Sequence, residues 1–238
     1  MIPSHRKALL RGCLASAPFV IVVVPFALLF GVVATEAGMN LAQVMLFSFS
    51  VFAGASQFAA VQLMQDQAPV LVILATSLAI NLRMVMYSVA MAPHLGDAPI
   101  GTRALMAYFL VDQSFAASQA EFEARPGLSP GEKVAFFFGT VLPIAPLWFA
   151  ATTAGALLGE AIPESYALDF AVPITFLAMT APMLRSVPHI VAAGVSIAAS
   201  LVLFAMPYGT GLLVAAALAM AAGAGTEVLL DQRRAHGH

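Results

Sequence analysis

The chain is a succession of apolar runs, each about as long as a lipid bilayer is thick. A helix needs about 20 apolar residues to cross the hydrocarbon core. With that ruler roughly eight spans fit the sequence, at about 14–34, 41–64, 69–92, 103–122, 134–158, 167–184, 188–206 and 208–229. Composition agrees: 61% of the residues are hydrophobic and 9% charged, and the mean hydropathy is +0.93. A soluble domain carries about a quarter charged residues. The sequence therefore predicts an all-α integral membrane protein. It is a polytopic bundle of seven to eight helices, some broken by Pro or Gly, and forms one transmembrane domain over residues 1–238.

The N-terminus imitates a secretory signal: His5, Arg6, Lys7 and Arg11 precede the first apolar run. However, the small triplet Ala15-Ser-Ala17 lies before that run rather than after it, so the run reads as an uncleaved first span. The net charge of −2 gives no reason to expect nucleic acid as a partner, and a lone Cys13 supports neither an internal disulfide nor a cysteine metal site. Neither a metal nor an organic cofactor is expected.

Charges gather in the short connections, where Lys and Arg set orientation. With the N-terminus in the cytoplasm, Arg6, Lys7, Arg11, Arg125, Lys133, Arg185, Arg233 and Arg234 fall inside. Only Arg103 falls outside, and Arg83 lies within a span. This reading puts both termini in the cytoplasm. Merging the last two spans at Met206-Pro-Tyr-Gly209 gives seven, and moves Arg233 and Arg234 outside. Prolines 18, 25, 143, 146, 173, 182, 188 and 207 are expected to break or kink several spans. The first two spans (Pro25…Gly31, then Phe52-Ala-Gly54) echo the fifth and sixth (Pro146…Gly155, then Phe170-Ala-Val-Pro173), a candidate internal repeat. Gly155 and Gly159 are spaced for close helix packing.

Three spans carry polar groups that a membrane makes expensive. Arg83 and Asp112 each fall near mid-span, at a cost of at least about 2.5 kcal/mol apiece if left alone. Arg83, Tyr87 and His94 share one helical face, and Ser77 and Asn81 form a second polar stripe. Arg83 and Asp112 lie at similar depth on neighbouring spans. One reading makes them a structural pair that fixes helix register. In another they form a pair that opens and closes with conformation. In a third they hold the two ends of a zwitterion, Arg83 the carboxylate and Asp112 the ammonium. Asp112 is also the candidate carrier of a coupling proton, a role that a permanent pair with Arg83 would oppose. In the second span, Ser50, Gly54 and Gln57 form a stripe. Gly54-Ala55-Ser56 reads either as an unwinding point that frees backbone groups for a ligand or as a close helix contact, with Gln57 bonded across the interface. The candidate substrate-binding set is Gly54, Ser56, Gln57, Asn81, Arg83, Tyr87 and Asp112.

Phe52-Ala-Gly-Ala-Ser-Gln-Phe58, Asn81-Leu-Arg83 with Tyr87, Ala92-Pro-His-Leu95 and the later Asp169-Phe170…Pro173 together resemble the AzlC family, the large subunits of bacterial branched-chain amino-acid exporters. Where that family commonly shows Thr-Asp-Glu, this chain has Val111-Asp112-Gln113, so the second acid is missing. The resemblance implies export of branched-chain or similar apolar amino acids from the bacterial inner membrane by secondary transport. The energy source would be an ion gradient, with the proton the first candidate. It also implies a small AzlD-type membrane subunit as partner.

Two other classes of function compete with the carrier. One is a membrane assembly subunit that does not itself transport. The other is an intramembrane serine hydrolase, with Ser56 paired to His94 or His189.

Overall fold

A computed structural model describes residues 4–159, 184, 186–206 and 210–236. The apolar run at 167–184 and the Asp169-Phe170…Pro173 segment lie outside the described residues, Leu184 apart. So do Glu160, Glu164 and Arg185, and the side chains of Arg233 and Arg234. Every regular element described is a helix. Among the described residues four helices are long and apolar enough to cross a membrane: Ser4–Glu36, Val70–Leu95, Pro130–Gly159 and Thr210–Gln232. The chain divides into two compact units, Met1–Val61 with Ile80–Ala167 and Gln62–Ala79 with Leu168–His238.

The first unit is built on two parallel helices. Helix α1 (Ser4–Ser16) passes through a short turn at Ala17–Phe19 into α2 (Val20–Glu36), and the pair lies along α8 (Pro130–Gly159). Glycines allow the contact. A Cβ on Gly12 would strike the Phe136 carbonyl oxygen, and one on Gly155 would strike that of Leu28. Gly12 meets Phe136–Thr140, and Gly31 meets Thr152–Ala156 further along. The order is the same on both helices, so they run in the same direction. The expected packing role of Gly155 and Gly159 is met here, since Gly159 faces Val32 and Thr35.

Between these helices the chain reverses twice inside the bundle. Helix α3 (Leu41–Ser50) descends α8: Thr153 bonds Met45, and Trp148 Nε1 donates to Ser48 Oγ at 2.8 Å. The helix stops at Val51–Ala53. Helix α4 (Gly54–Gln65) then turns back, with Gly54 against Phe26 and Trp148 and the Phe58 ring between Phe26 and Phe30. Helix α5 (Val70–Leu95) ends where α8 begins, with His94 Nδ1 3.4 Å from Lys133 Nζ. Helix α6 (Ile100–Tyr108) rises from that end and breaks at Phe109–Val111. Helix α7 (Asp112–Ala124) returns to it, where Glu121 pairs with Arg11 at 3.0 Å and Phe122 meets Phe136 and His94.

This arrangement corrects the expected topology. The runs at about 41–64 and 103–122 do not cross; each enters to mid-span and leaves on the side it came from. A hydropathy ruler counts apolar residues and cannot register a reversal. Arg103, expected on the opposite side, therefore sits with Arg11, Arg125 and Lys133. It donates to the Gly96 carbonyl at 3.2 Å beside the end of α5. The prolines do not make the two reversals. Helices continue through Pro25, Pro93, Pro143 and Pro146, whereas neither 51–53 nor 109–111 contains proline. Among the prolines expected to interrupt helices, Pro18 does mark the turn between α1 and α2.

The two hairpins repeat each other. Phe52 and Phe58-Ala-Ala60 recur as Phe109 and Phe115-Ala-Ala117, 57 positions later. Phe30 packs on Phe58 (centroids 5.6 Å), and its equivalent Tyr87 stacks on Phe115 (4.2 Å). The motif of one helix followed by a hairpin thus occurs as α2–α3–α4 and, inverted, as α5–α6–α7. The other echo, with the fifth and sixth runs, has its Phe170–Pro173 half outside the described residues.

In the second unit, α9 (Val187–Val202) and α10 (Thr210–His236) form an antiparallel pair. Gly211 packs on Leu203, and Gly223 on Ala192 and the Pro188 carbonyl.

Candidate functional site

The hairpin tips meet at mid-span, and their broken ends need partners there. A helix end leaves carbonyl and amide groups without intrahelical bonds, and in an apolar setting each such group costs several kcal/mol. The Phe49 carbonyl, freed at the end of α3, accepts a 2.6 Å hydrogen bond from the Tyr108 hydroxyl at the end of α6. The rings of Phe52 and Phe109 meet edge to face with centroids 5.5 Å apart. Ser114 Oγ accepts the Val111 N–H at 2.9 Å and lies 2.7 Å from the Phe109 carbonyl, which closes the second tip. Ser56 Oγ donates to the Ala53 carbonyl at 2.9 Å and does the same for the first.

The charged pair lies beside these tips. Asp112 is the first residue of α7, so its carboxylate sits at the positive end of that helix. Arg83, at the centre of the 26-residue α5, places Nη1 2.8 Å from Asp112 Oδ2. Tyr87, one turn further along α5, donates its hydroxyl to Asp112 Oδ1 at 2.7 Å. The Tyr87 ring lies flat on Phe115, with 10° between the planes. The expected shared face is real: Arg83, Tyr87 and His94 all point at α7. The other polar side of α5 meets the first hairpin, where Asn81 Nδ2 donates to Ser56 Oγ at 3.0 Å. Arg83 and Asn81 thus tie one helix to both hairpins.

The remaining expected members are placed differently. Gly54 is not at an unwinding point; the helix breaks one residue earlier, and Gly54 opens α4 beneath the Phe26 and Trp148 rings, where a Cβ would not fit. The expected stripe through Ser50, Gly54 and Gln57 is divided by that break. Gln57 is fully buried, but neither amide atom has a hydrogen-bond partner, so the expected bond across the interface is not made. Ser56 and His94 are not brought together. Ser56 bonds Ala53 and Asn81, while His94 lies about 20 Å further along α5 at 1.5 Å per residue. Among the described residues no group of three or more His, Cys, Asp or Glu is placed to hold a metal.

Sequence reasoning missed Tyr108, Ser114 and Phe115. For Ser114 and Phe115 the signal is the 57-residue repeat, because Phe115 matches Phe58 and Ser114 matches Gln57, whereas Tyr108 matches Val51 and gives none.

Long apolar helices, hairpins that end at mid-span and a charged pair between them define a polytopic helical membrane protein with a polar centre. The chain belongs to the AzlC family: residues 18–162 match the model described as AzlC protein. It is 30% identical to an uncharacterized membrane protein of Archaeoglobus fulgidus over 179 residues, covering 74% of this chain and 75% of the relative. It is 28% identical to the inner membrane protein YgaZ of Escherichia coli over 174 residues, covering 71% of this chain and 70% of that protein. No solved structure matches it.

Proposed function

We propose that the protein is an exporter of branched-chain or similar apolar amino acids, driven by an ion gradient and working with a small AzlD-type subunit. The single observation that supports this reading most is the Arg83–Asp112–Tyr87 cluster at the tip of a reversing hairpin. A charged pair held at mid-span is expensive to maintain. Its position on a hairpin tip, rather than between two continuous helices, favours a part that moves over a static strut. Inverted hairpins around a central site are the geometry of alternating access. The Phe115 ring, stacked on Tyr87 beside the pair, offers an apolar surface that suits a hydrocarbon side chain, and Arg83 suits a carboxylate. Asp112 is the candidate for carrying a coupling proton.

The proposed location is the bacterial inner membrane, in keeping with the E. coli relative. Arg11, Arg103, Arg125 and Lys133 share one side of the first unit, which supports a cytoplasmic orientation of that side, and of the N-terminus with it, by the positive-inside rule. The C-terminus is proposed to be cytoplasmic as well.

Counterflow in proteoliposomes tests the function. Purified protein, with and without the small subunit, is loaded with unlabelled L-leucine and offered labelled amino acids, with and without a pH gradient. Uptake of labelled leucine, isoleucine or valine that is lost in Arg83→Ala is the expected result. No counterflow of any apolar amino acid in either preparation refutes the proposal. Counterflow that requires the small subunit establishes the pair as the working unit.

A further inference from the structure

The Arg83–Asp112 pair uses little of what Arg83 offers. A guanidinium presents a planar fork suited to two parallel bonds with one carboxylate. Here a single nitrogen, Nη1, reaches Asp112 Oδ2, while Nε is buried without an acceptor. The Arg83 and Asp112 side chains are 32% and 35% exposed, so the pair is partly open although Arg83 sits at the centre of its helix.

The inverted repeat sharpens the contrast. In the first hairpin the positions equivalent to Arg83 and Tyr87 are Phe26 and Phe30. Both are buried and pack on Phe58, and the hairpin tip is closed by Gly54 against Phe26 and Trp148. Close packing of this kind offers an incoming ligand nothing to exchange with. The second hairpin instead grips α5 through a carboxylate that stands directly after its break. Both hairpins keep an aromatic contact, Phe30 on Phe58 and Tyr87 on Phe115, but only the second adds a charge that another charge can replace.

We propose that Asp112 occupies, at Arg83, the place taken by the carboxylate of a transported solute, so that binding a carboxylate releases the α6–α7 hairpin from α5. This rests on the transport reading above and differs from a zwitterion held between Arg83 and Asp112. Asp112 is a competitor for the ligand carboxylate, not the partner of its ammonium. An apolar carboxylate such as isovalerate should therefore act as well as an amino acid, and an amide should not.

The test follows labelling of a cysteine at the hairpin tip. Gln113→Cys in a Cys13→Ser background, reconstituted in lipid nanodiscs, is treated with a water-soluble maleimide. Isovalerate and L-leucine are each expected to speed labelling about tenfold, while L-leucinamide does not. Arg83→Gln is expected to speed labelling without ligand and to abolish the response. Unchanged labelling in the presence of both carboxylates, or in Arg83→Gln, overturns the proposal. Binding provides a second readout. Asp112→Asn should bind isovalerate about tenfold more tightly, because the resident competitor is gone. If Asp112→Asn instead weakens L-leucine binding and leaves isovalerate unchanged, Asp112 holds the ammonium and the proposal falls. Export fails separately from this exchange: labelling that responds to carboxylates with no leucine counterflow keeps the exchange and refutes export. Counterflow with flat labelling does the reverse.

Discussion

Removing either charge of the central pair should cost more than removing both. Arg83→Gln leaves the Asp112 carboxylate with only the Tyr87 hydroxyl, and Asp112→Asn leaves the Arg83 guanidinium with no counter-charge. Breaking a fully buried pair costs about 3–5 kcal/mol. The two side chains are about a third exposed, so solvent screening brings the expected cost of each single substitution to about 1–2 kcal/mol. In the double variant Gln and Asn still reach each other as neutral groups, and the isolated charge disappears. For the double variant to lose less than either single, the interaction energy from the cycle must exceed each single loss, at about 2–3 kcal/mol in favour of the pair. At about 2–4 °C per kcal/mol for a chain of this size, each single variant should melt roughly 2–8 °C lower, with the double variant recovering part of the loss. Thermal unfolding in lipid nanodiscs, with retained wild-type helix content by circular dichroism, measures this. Strictly additive losses, within about 0.5 kcal/mol, would show that the two side chains do not sense each other and refute the geometry on which the site is built.

Tyr87→Phe should keep the ring stack on Phe115 and lose only the hydroxyl bond to Asp112, at a cost of about 1 kcal/mol, while Tyr87→Ala loses both. Equal melting temperatures for the two variants would contradict the stack. Gly155→Leu should separate α2 from α8 and destabilise the fold by at least about 2 kcal/mol, because the obstacle is the Leu28 backbone, which cannot rotate away. Gly225→Ala, with nothing near its added Cβ, should be neutral or gain up to about 1 kcal/mol of helix propensity; if the two glycines behave alike, the packing argument is wrong. The reversal of both hairpins is tested by accessibility. In a Cys13→Ser background, single cysteines at Ser4, Asp97 and Ser129 should all react from the same side of the membrane. Labelling of Asp97→Cys from the opposite side restores two crossing spans and overturns the topology.

Much of the site was legible because membrane physics makes polar residues conspicuous. Arg83, Asp112, Tyr87, Asn81 and Ser56 stand out in apolar runs, and helical periodicity placed Arg83 and Tyr87 on one face. The depth argument that brought Arg83 near Asp112 succeeded for a reason the sequence did not reveal: Asp112 reaches mid-span on the tip of a hairpin, not within a crossing helix. The role of Gly54 stayed open because a small polar triplet looks equally suited to an unwinding point and to a close contact. Its neighbours Phe26 and Trp148, distant in sequence, decide for the contact.

The sequence alone determined that the chain is helical and membrane-embedded, since its apolar residues outnumber what any soluble surface accommodates and helices satisfy their own backbone groups in lipid. Only the tertiary structure decided which apolar runs cross and which turn back. That choice depends on partners for the freed backbone groups, such as the Tyr108 hydroxyl on the Phe49 carbonyl, and those partners are 59 residues apart in the chain. The same contacts decide that the charge of Arg83 is met by a hairpin tip.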